Sequence, residues 1–373
     1  MKLTYIAHIR LPTGRAHGYA IMKMCEQFAA HGASVELLVS SELRGNPDDP
    51  FDHYGIERNF TIERLWTSYI RGSTEFTSIP FLIDLCTFLV AVYRRTYKPD
   101  EIVYTRDYAV ALIVPAQNIV LELHDIPSNK RVFARALSRV QRFVVITHAL
   151  ERALIERGVP KERITVAPDA VDLAEFDIVP DRAAIWREFG VDPSKKLVLY
   201  TGHFYGWKGA ETLADAARYV NADVEIILMG GIGQELADFQ QKYTAPHIHV
   251  IPFVRRERLA RILKSADILV LPNSGRAPIS AHYTSPLKLF QYMASGVPII
   301  ASDLPSIREI LDDATAYWFT PDDPRSLAAK IEAVLNEPEA AGQKALAAGE
   351  RAKRYTWRAR AQSILHGMRA MAG

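Results

Sequence analysis

The sequence predicts an α/β protein made of two doubly wound domains in tandem. Short apolar segments alternate with amphipathic segments in both halves, beginning with "LTYIAHI" and "VELLVS" in the first and with "KLVLYTG" and "VEIILMGG" in the second. Strands that alternate with helices predict a parallel sheet covered on both faces. The length of 373 residues is also too great for one ordinary core, which favours two domains.

The other strands are predicted wherever a short apolar run ends in turn residues. These runs are "EIVYT", "NIVLEL", "RFVVIT" and "RITVAP" in the first half and "IHVIPF", "DILVLPN", "VPIIAS" and "AYWFT" in the second. A first helix is predicted from about Tyr19 to His31, and the chain after Asp323 is predicted to be almost wholly helical. The stretch from Asp169 to Asp181 is rich in acids, lacks a strand pattern and is predicted to link the domains.

Composition excludes several classes of protein. Apolar residues make up 49% and charged residues 24% of the chain, which are globular values. A net charge of +2 argues against a dedicated nucleic-acid-binding protein. Cys25 and Cys86 are too few for a disulfide framework and are expected to be buried thiols in a reducing cytosol. The first residues suit a strand better than a signal peptide, and no run reaches the ~18 apolar residues of a membrane span, so we expect a soluble cytoplasmic protein.

One segment, Asn129 to Arg142, is locally basic and contains no acid. Such a run is often the solvated face of a helix. It is also suited to contact with an anionic membrane or a lipid-diphosphate acceptor, because these attract clustered basic side chains. Both interpretations stay open, and the second would make the protein peripheral at the inner face of the membrane. The residues concerned are Lys130, Arg131, Arg135, Arg139 and Arg142.

The loops that follow strands carry most of the functional interest, because ligands of open α/β sheets bind outside the carboxyl ends of the strands. In "RLPTGRAHGYA", Gly14 and Gly18 would allow close backbone approach to an anion near a helix N-terminus, although a plain loop fits as well. In "YTGHFYGWKGAETL", Lys208 lies at a helix start, where a cation is unfavourable unless an anionic ligand compensates it. The alternative for Lys208 is a solvated turn lysine.

Two further loops follow strands in the second half. The glycines of "LMGGIGQE" fit a ligand loop and a tightly packed turn almost equally well. In "TSPLK", Pro286 occupies an early helical position, and the free amides of Leu287 and Lys288 can point at phosphate oxygens. This second segment predicts an anion cradle.

Two residues near the end of the strand "NIVLEL" could also take part in chemistry. His124 lies beside Asp125 and could face a cleft between domains, although a core histidine with a satisfied partner fits equally well. Glu122 lies between two leucines, so it needs a partner such as Arg106 if it is buried.

The chain resembles the retaining family-4 glycosyltransferases of the GT-B fold. The resemblance runs through "ELHD", "VVITHALERALIERGVPKERITVAPDAVD", "GHFYGWKG", "ADILVLPNS" and "SPLKLFQYMASGVPIIASD", of which the last is the most specific. It implies two Rossmann-like domains facing a cleft, with a final helix that crosses back to the first domain. The implied boundaries are 1–175 for the acceptor domain, 176–352 for the nucleotide-sugar donor domain and 353–373 for the C-terminal helix.

The resemblance also implies roles for single residues. Lys208 would hold the donor diphosphate, the loop around Phe253 would lie along the base, and Gly18 would lie near the phosphates. His124 would face the sugar. The segment that would surround the diphosphate with backbone amides is Ser285, Pro286, Leu287 and Lys288.

Three departures from the family pattern bear on donor binding. The position that is usually arginine is His203, and the paired glutamates of the family fall on Tyr283 and Gln291. The motif "NGVD" appears here as "DAVD". An amide at Gln291 can accept one ribose hydroxyl and donate to another, whereas a carboxylate accepts from both, so we expect a loss of about 1–3 kcal/mol in donor binding.

The resemblance therefore predicts a retaining transfer of a sugar from a nucleotide-diphosphate sugar to a hydroxyl of a glycan or lipid-linked acceptor, with no metal and no other cofactor. Lys208 and His124 are the predicted catalytic residues. A nucleotide-sugar epimerase of the same fold and a weakly active nucleotide-sugar-binding protein are the alternatives. A dinucleotide-dependent dehydrogenase is disfavoured, because no GxGxxG follows the first strand.

Overall fold

The computed structural model describes residues 1–41, 48–68 and 78–369. The chain divides into two compact units: Met1–Pro168 together with the C-terminal segment from Trp357, and Asp169–Thr356. Within the described ranges, no helix has both the length and the apolar character needed to cross a bilayer.

The first unit is built on a parallel sheet with the strand order β3-β2-β1-β4-β5-β6-β7. Most of its strands are short apolar runs that are buried along almost their whole length. The strands are β1 (Lys2–Ala7), β2 (Ser34–Ser40), β3 (Thr61–Leu65), β4 (Ile102–Thr105), β5 (Asn118–Leu123), β6 (Arg142–Val145) and β7 (Ile164–Val166).

The second unit is built on a parallel sheet with the order β10-β9-β8-β11-β12-β13. Successive residues of β8 alternate between two buried clusters: Leu197 and Leu199 enter one, Val198 and Tyr200 the other. The sheet therefore has a core on each face, as a doubly wound fold requires. The strands are β8 (Lys196–Thr201), β9 (Val224–Met229), β10 (Ile248–Ile251), β11 (Ile268–Leu271), β12 (Ile299–Ser302) and β13 (Tyr317–Phe319).

Helices connect the strands in both units. Those of the first unit before the chain enters the second are α1 (Ala16–Ala30), α2 (Pro50–Tyr54), α3 (Ile79–Arg94), α4 (Tyr108–Ile113), α5 (Lys130–Leu137) and α6 (His148–Ile155). The remaining helices are α7 (Arg182–Glu188), α8 (Ala210–Ala216), α9 (Gly233–Lys242), α10 (Arg256–Lys264), α11 (Leu287–Ser295), α12 (Pro305–Arg308), α13 (Pro324–Asn336), α14 (Pro338–Ala352) and α15 (Trp357–Arg369).

The C-terminal helix α15 belongs to the first unit, although it follows the whole of the second in sequence. It packs against α1, where the rings of Trp357 and Tyr19 meet edge to face with centroids 5.9 Å apart. The prediction that this helix returns to the first domain is confirmed for its described part, and residues 370–373 of the predicted segment lie outside the described residues.

Several expectations from the sequence need correction. The stretch Asp169–Asp181 is not a linker, because Val171 and Phe176 are buried in the core of the second unit. Cys25 is buried as expected, but Cys86 is exposed, because it lies on the outward face of α3. Strand β3 was not predicted, since its sequence "TIERL" is largely polar.

Both sheets change winding direction at one place, between β1 and β4 in the first unit and between β8 and β11 in the second. In open α/β sheets, the loops after the strands on either side of such a place diverge and leave room for a ligand at the carboxyl edge. The candidate functional residues of each unit lie at these two edges.

Candidate functional site

In the second unit, the loop after β8 is held close to the end of β11. Gly209 has a φ of +72°, and a Cβ at this position would lie 1.7 Å from the carbonyl oxygen of Pro272. The amide of Ser274 donates to the carbonyl of Trp207 over 3.0 Å. The loop that carries Lys208 is therefore fixed against the neighbouring strand end and needs glycine at Gly209.

Lys208 ends the short 3-10 helix Gly206–Lys208, immediately before α8. Its ammonium group lies 4.5 Å from the centre of the Trp207 ring. Burial lowers the pKa of Lys208, and the carboxylate of Glu235 only partly offsets this. The half-buried side chain excludes the alternative of a fully solvated turn lysine.

Lys288 provides a second ammonium group beside the same loop. Its side chain is buried, with Nζ 3.8 Å from the centre of the Tyr200 ring and without a hydrogen-bond partner among the described residues. A Cβ at Gly202 would lie 2.9 Å from this Nζ, so the ammonium group fits against the glycine of the loop. Burial, together with the positive charge of Lys208, holds the pKa of Lys288 well below its usual value. A buried, unpaired cation of this kind is costly unless an anion joins it.

Helix α11, which carries Lys288, is held in place at its first and second turns. The hydroxyl of Tyr292 accepts from the amide of Thr201 over 2.9 Å, which ties the helix to the end of β8. The hydroxyl of Ser285 accepts from the amide of Asp169 over 3.0 Å. Pro286 precedes the helix and supplies no side-chain cap, so the first-turn amides of Leu287 and Lys288 have no capping side chain. These amides are free to bind an anion, as the predicted anion cradle requires, and the Lys288 side chain lies in the same helical turn.

The remaining residues predicted to bind the donor occupy different environments. His203 pairs with Glu235, with 3.1 Å between Nδ1 and Oε2, and stacks on the ring of Tyr205. Gln291 is buried in α11, and Tyr283 ends the π-helix Ile279–Tyr283 with a half-buried ring. Phe253 follows β10 and is 53% exposed, a position from which an aromatic ring can stack on a base.

The glycines after β9 have a packing role. A Cβ at Gly230 would lie 2.0 Å from the carbonyl oxygen of Gly202, and one at Gly231 would lie 2.7 Å from the ring of Phe204. Of the two interpretations of "LMGGIGQE", the structure supports the tightly packed turn.

In the first unit, Glu122 is the centre of a buried polar network. Its Oε1 lies 3.1 Å from Arg106 Nη2 and 3.0 Å from Arg360 Nη2, and its Oε2 accepts from the hydroxyl of Tyr104. Burial alone would raise the pKa of Glu122, but Arg360, Arg106 and the hydrogen bond from His124 outweigh it, so the pKa lies well below its usual value. The predicted partnership of Glu122 with Arg106 is confirmed.

The imidazole of His124 is oriented by this network. Its Nε2 lies 2.6 Å from Glu122 Oε1 and also contacts Arg106 Nη2, which lies 3.1 Å from Nδ1. His124 is half-buried, with both nitrogens engaged by protein groups, which suits an orienting role better than proton transfer.

Sequence reasoning missed Arg360. This residue of α15 is buried, and its Nε donates to the carbonyl of Pro168 over 2.9 Å in addition to its contact with Glu122. The sequence does contain an indication of this, because Arg360 is three residues after Trp357 and four before Ile364, on the same helical face as these two apolar residues. What the sequence does not give is its partner, which is 238 positions away.

Gly18 is accounted for by packing within the first unit. A Cβ at this position would lie 2.5 Å from the hydroxyl of Tyr54 and 2.6 Å from Cγ2 of Thr13. The same hydroxyl donates to the carbonyl of Thr13 over 2.8 Å and accepts from its amide over 2.7 Å. Tyr54 thus clamps the loop after β1, and Gly18 leaves the space that it occupies.

We expect Gly18→Ala to lower the free energy of unfolding by about 1–3 kcal/mol, because the added methyl group overpacks the Tyr54 clamp. Urea unfolding followed by circular dichroism measures this. Gly14→Ala is the matched control, since nothing lies within 4 Å of a Cβ there. Equal stability of the two variants would contradict the clamp.

The basic run of the first unit divides into two groups. The guanidinium of Arg139 donates to the carbonyls of Leu112 and Val114, and that of Arg142 donates to the carbonyl of Glu162. These two arginines are half-buried and hold the fold together, which corrects their predicted place in a surface patch. The exposed cations that remain are Lys130, Arg131 and Arg135.

Most of the second unit matches a known protein family. The family model described as Glycosyl transferases group 1 matches residues 195–337, from the start of β8 to the end of α13. This range contains the Lys208 loop, Lys288 and Gln291.

Related sequences carry similar descriptions. A phosphatidyl-myo-inositol mannosyltransferase of Mycobacterium tuberculosis is 29% identical over 215 residues, which cover 55% of this chain and 55% of that protein. An uncharacterized glycosyltransferase of Methanocaldococcus jannaschii is 26% identical over 187 residues, which cover 48% of this chain and 46% of that protein. The chain spans about half the length of the curated relatives it matches.

Solved structures resemble the chain along nearly its whole length. Sucrose-phosphate synthase from Thermosynechococcus elongatus matches with a TM-score of 0.77 and 20% identity, covering 99% of this chain and 98% of that one. Anabaena HepE in complex with UDP matches with a TM-score of 0.76 and 16% identity, covering 99% and 100%. At such identities the likeness establishes the fold. Residues 195–337 therefore match the Glycosyl transferases group 1 family, within a chain that has the fold of the GT-B glycosyltransferases.

Proposed function

We propose that the protein is a retaining glycosyltransferase that moves a sugar from a nucleotide-diphosphate sugar to a hydroxyl of a glycan or lipid-linked acceptor. The observation that carries this proposal is the buried, unpartnered ammonium group of Lys288 beside Lys208, at the carboxyl edge of the second sheet. Two neighbouring cations lower each other's pKa and are stabilised together when a dianionic group joins them. A diphosphate would supply negative charge next to the ammonium groups of Lys208 and Lys288.

The chemical contribution of the site is to stabilise the leaving diphosphate. As the glycosidic bond breaks, negative charge accumulates on the departing phosphate oxygen. The two lysine side chains and the first-turn amides of α11 supply positive charge that is already in place before the reaction. Because these groups carry the charge stabilisation, the proposal needs no metal ion. We assign His124 to orienting the sugar, since both its nitrogens already have protein partners.

The proposal is tested first by nucleotide binding. We expect one of UDP, GDP and ADP to raise the melting temperature whether or not Mg²⁺ is present. UDP is the first choice, because the structurally similar Anabaena protein has been solved with UDP and with UDP-glucose. Calorimetry then gives the dissociation constant. No response to any of the three nucleotides would contradict the donor site.

The residue Gln291 gives a sharper form of the same test. Gln291→Glu should bind the preferred nucleotide roughly 10-fold more tightly, because a carboxylate accepts from both ribose hydroxyls. Gln343→Glu, which adds the same charge at an exposed position of α14, is the matched control and should not change the affinity. Equal or weaker binding by Gln291→Glu would remove Gln291 from the ribose site.

A second candidate function is a nucleotide-sugar-binding protein with little turnover. It is favoured by the replacement of the family's glutamates by Tyr283 and Gln291 and by the pairing of His203 with Glu235. Incubation with the preferred donor and a panel of glycan and lipid acceptors, followed by product analysis, separates the two functions. A transferase yields a glycosylated acceptor with a retained anomeric configuration, whereas the binding protein yields none.

A further inference from the structure

Helix α3 of the first unit has its apolar face on the outside. The exposed residues recur with helical spacing and cover one continuous face about 20 Å long, from the first turn to the last. Ile79 is 73% exposed, Leu82 48% and Tyr93 62%. The complete face is Ile79, Leu82, Ile83, Cys86, Val90 and Tyr93.

The inward face of α3 carries the helix's acidic residue. Asp84 is fully buried, with its carboxylate 2.9 Å from His8 Nε2 and 2.6 Å from Arg10 Nη2. Phe88 and Val92 complete the buried face. The orientation of the helix is therefore fixed by an internal ion pair and by apolar packing. Its apolar outer face is exposed even though the unit is folded.

An aromatic residue next to the helix extends this surface. Trp66, just after β3, is 65% exposed, and the amide of Ser68 donates to the hydroxyl of Thr87 in α3 over 2.9 Å. Trp66 thus lies in a segment that is attached to α3. Tryptophan and tyrosine are the side chains enriched at the boundary between water and lipid.

Exposed cations lie on a helix of the first unit that is one helix away from α3. Helix α3 packs against α4, and α4 packs against α5, which carries Lys130, Arg131 and Arg135. The segment 129–142 contains no acid that would neutralise them. An apolar face with neighbouring basic side chains is the arrangement by which proteins lie on an anionic bilayer.

We propose that α3, Trp66 and the three exposed cations of α5 form a membrane-contact surface for a bilayer with anionic headgroups. A second copy of the chain fits less well, because its matching surface carries the same positive charge. A bilayer complements both the apolar face and the positive charge. This surface is independent of the proposed transfer reaction.

The test uses the full chain and vesicles of phosphatidylcholine, with and without phosphatidylglycerol. We expect co-sedimentation with the anionic vesicles only, and weaker binding as the salt concentration rises. Alanine at Lys130, Arg131 and Arg135 together should lower the partition coefficient roughly 100-fold. Glutamine at Ile79 and Leu82 should lower it roughly 10-fold. Leu346→Gln, an exposed apolar residue of α14 in the second unit, is the matched control and should bind like the wild type.

A fluorophore reports which face enters the lipid. Cys86 is exposed and Cys25 is buried, so an environment-sensitive thiol reagent labels Cys86. Its emission should shift to the blue when anionic vesicles are added. The same label at position 346, in the variant Cys86→Ser/Leu346→Cys, should not shift.

Three results would overturn the proposal. The first is the absence of binding to anionic vesicles. The second is binding that both surface variants leave unchanged. The third is self-association in sedimentation velocity that glutamine at Ile79 and Leu82 abolishes, without any vesicle binding, because a second copy would then cover the face.

Discussion

Lys288→Met is expected to change stability and ligand binding in opposite directions. In the unliganded protein, the ammonium group of Lys288 is buried without a hydrogen-bond partner, so its removal should raise the free energy of unfolding by about 1–3 kcal/mol. The same substitution removes a cation from the proposed diphosphate site and should weaken binding of the preferred nucleoside diphosphate roughly 10- to 100-fold. Methionine has a similar length and fills the space against Tyr200.

The opposite signs distinguish this prediction from a purely structural role. If Lys288 only packed on Tyr200, its replacement would destabilise the protein and would change nucleotide binding little. A buried lysine that binds an anion destabilises the protein as long as the anion is not bound. A site that binds a charged ligand often carries such a cost.

Urea unfolding and calorimetric titration of the same preparations measure the two effects. Lys330→Met in α13 is the matched control, because Lys330 is a helical lysine of the same unit and is only partly exposed. It should leave nucleotide affinity unchanged. Destabilisation of Lys288→Met together with unchanged affinity would exclude the diphosphate role of Lys288.

The contrast between Lys208 and Lys288 shows how far the sequence could predict this site. Lys208 lies in a glycine-rich loop directly after an apolar strand, a local pattern that the chain shows by itself. The predicted contribution of Lys288 was its backbone amide. Its side chain became important only through contact with Tyr200, 88 positions earlier, which depends on how α11 packs on β8. Local patterns give loop positions, whereas packing decides which side chains meet there.

The strands show the same difference between what a local pattern predicts and what packing decides. The predicted strands are confirmed because a strand covered on both faces is apolar along its whole length. Strand β3, with "TIERL", escaped prediction because it lies at the edge of the sheet and is largely polar. Helix α3 is the reverse case: Cys86 was expected to be buried, and the structure exposes it together with several apolar residues of the same helix. Apolar periodicity identifies a face but not what covers it.

In the first unit, the polar network around Glu122 connects two distant parts of the chain. Strand β5 supplies Glu122, β4 is followed by Arg106, and the C-terminal helix supplies Arg360. One carboxylate therefore balances two guanidinium groups inside the unit and also orients His124. The attachment of α15 and the orientation of the candidate catalytic histidine depend on the same charge.

We therefore expect Glu122→Gln to lower the free energy of unfolding by about 3–5 kcal/mol at neutral pH, because the buried Arg360 and the partly buried Arg106 each lose an ion pair with this carboxylate. The pKa of Glu122 is depressed in the folded state, so its stabilising contribution is fully present above the unfolded-state value of about 4.3. It is lost progressively as the pH falls towards the folded-state pKa. The difference between wild type and variant should accordingly shrink below about pH 4.

Urea unfolding from pH 7 to pH 3 measures this difference, and hydrogen exchange at β5 and α15 shows whether the loss is confined to the first unit. Glu63→Gln is the matched control, because Glu63 pairs with Arg95 at a partly exposed position and should cost less than about 1 kcal/mol. Glu122→Gln/Arg360→Met should recover part of the loss, since it removes one of the two cations that lose their ion pair with Glu122. If Glu122→Gln were no less stable than Glu63→Gln, or if its deficit stayed constant with pH, the network would not be what holds α15 and orients His124.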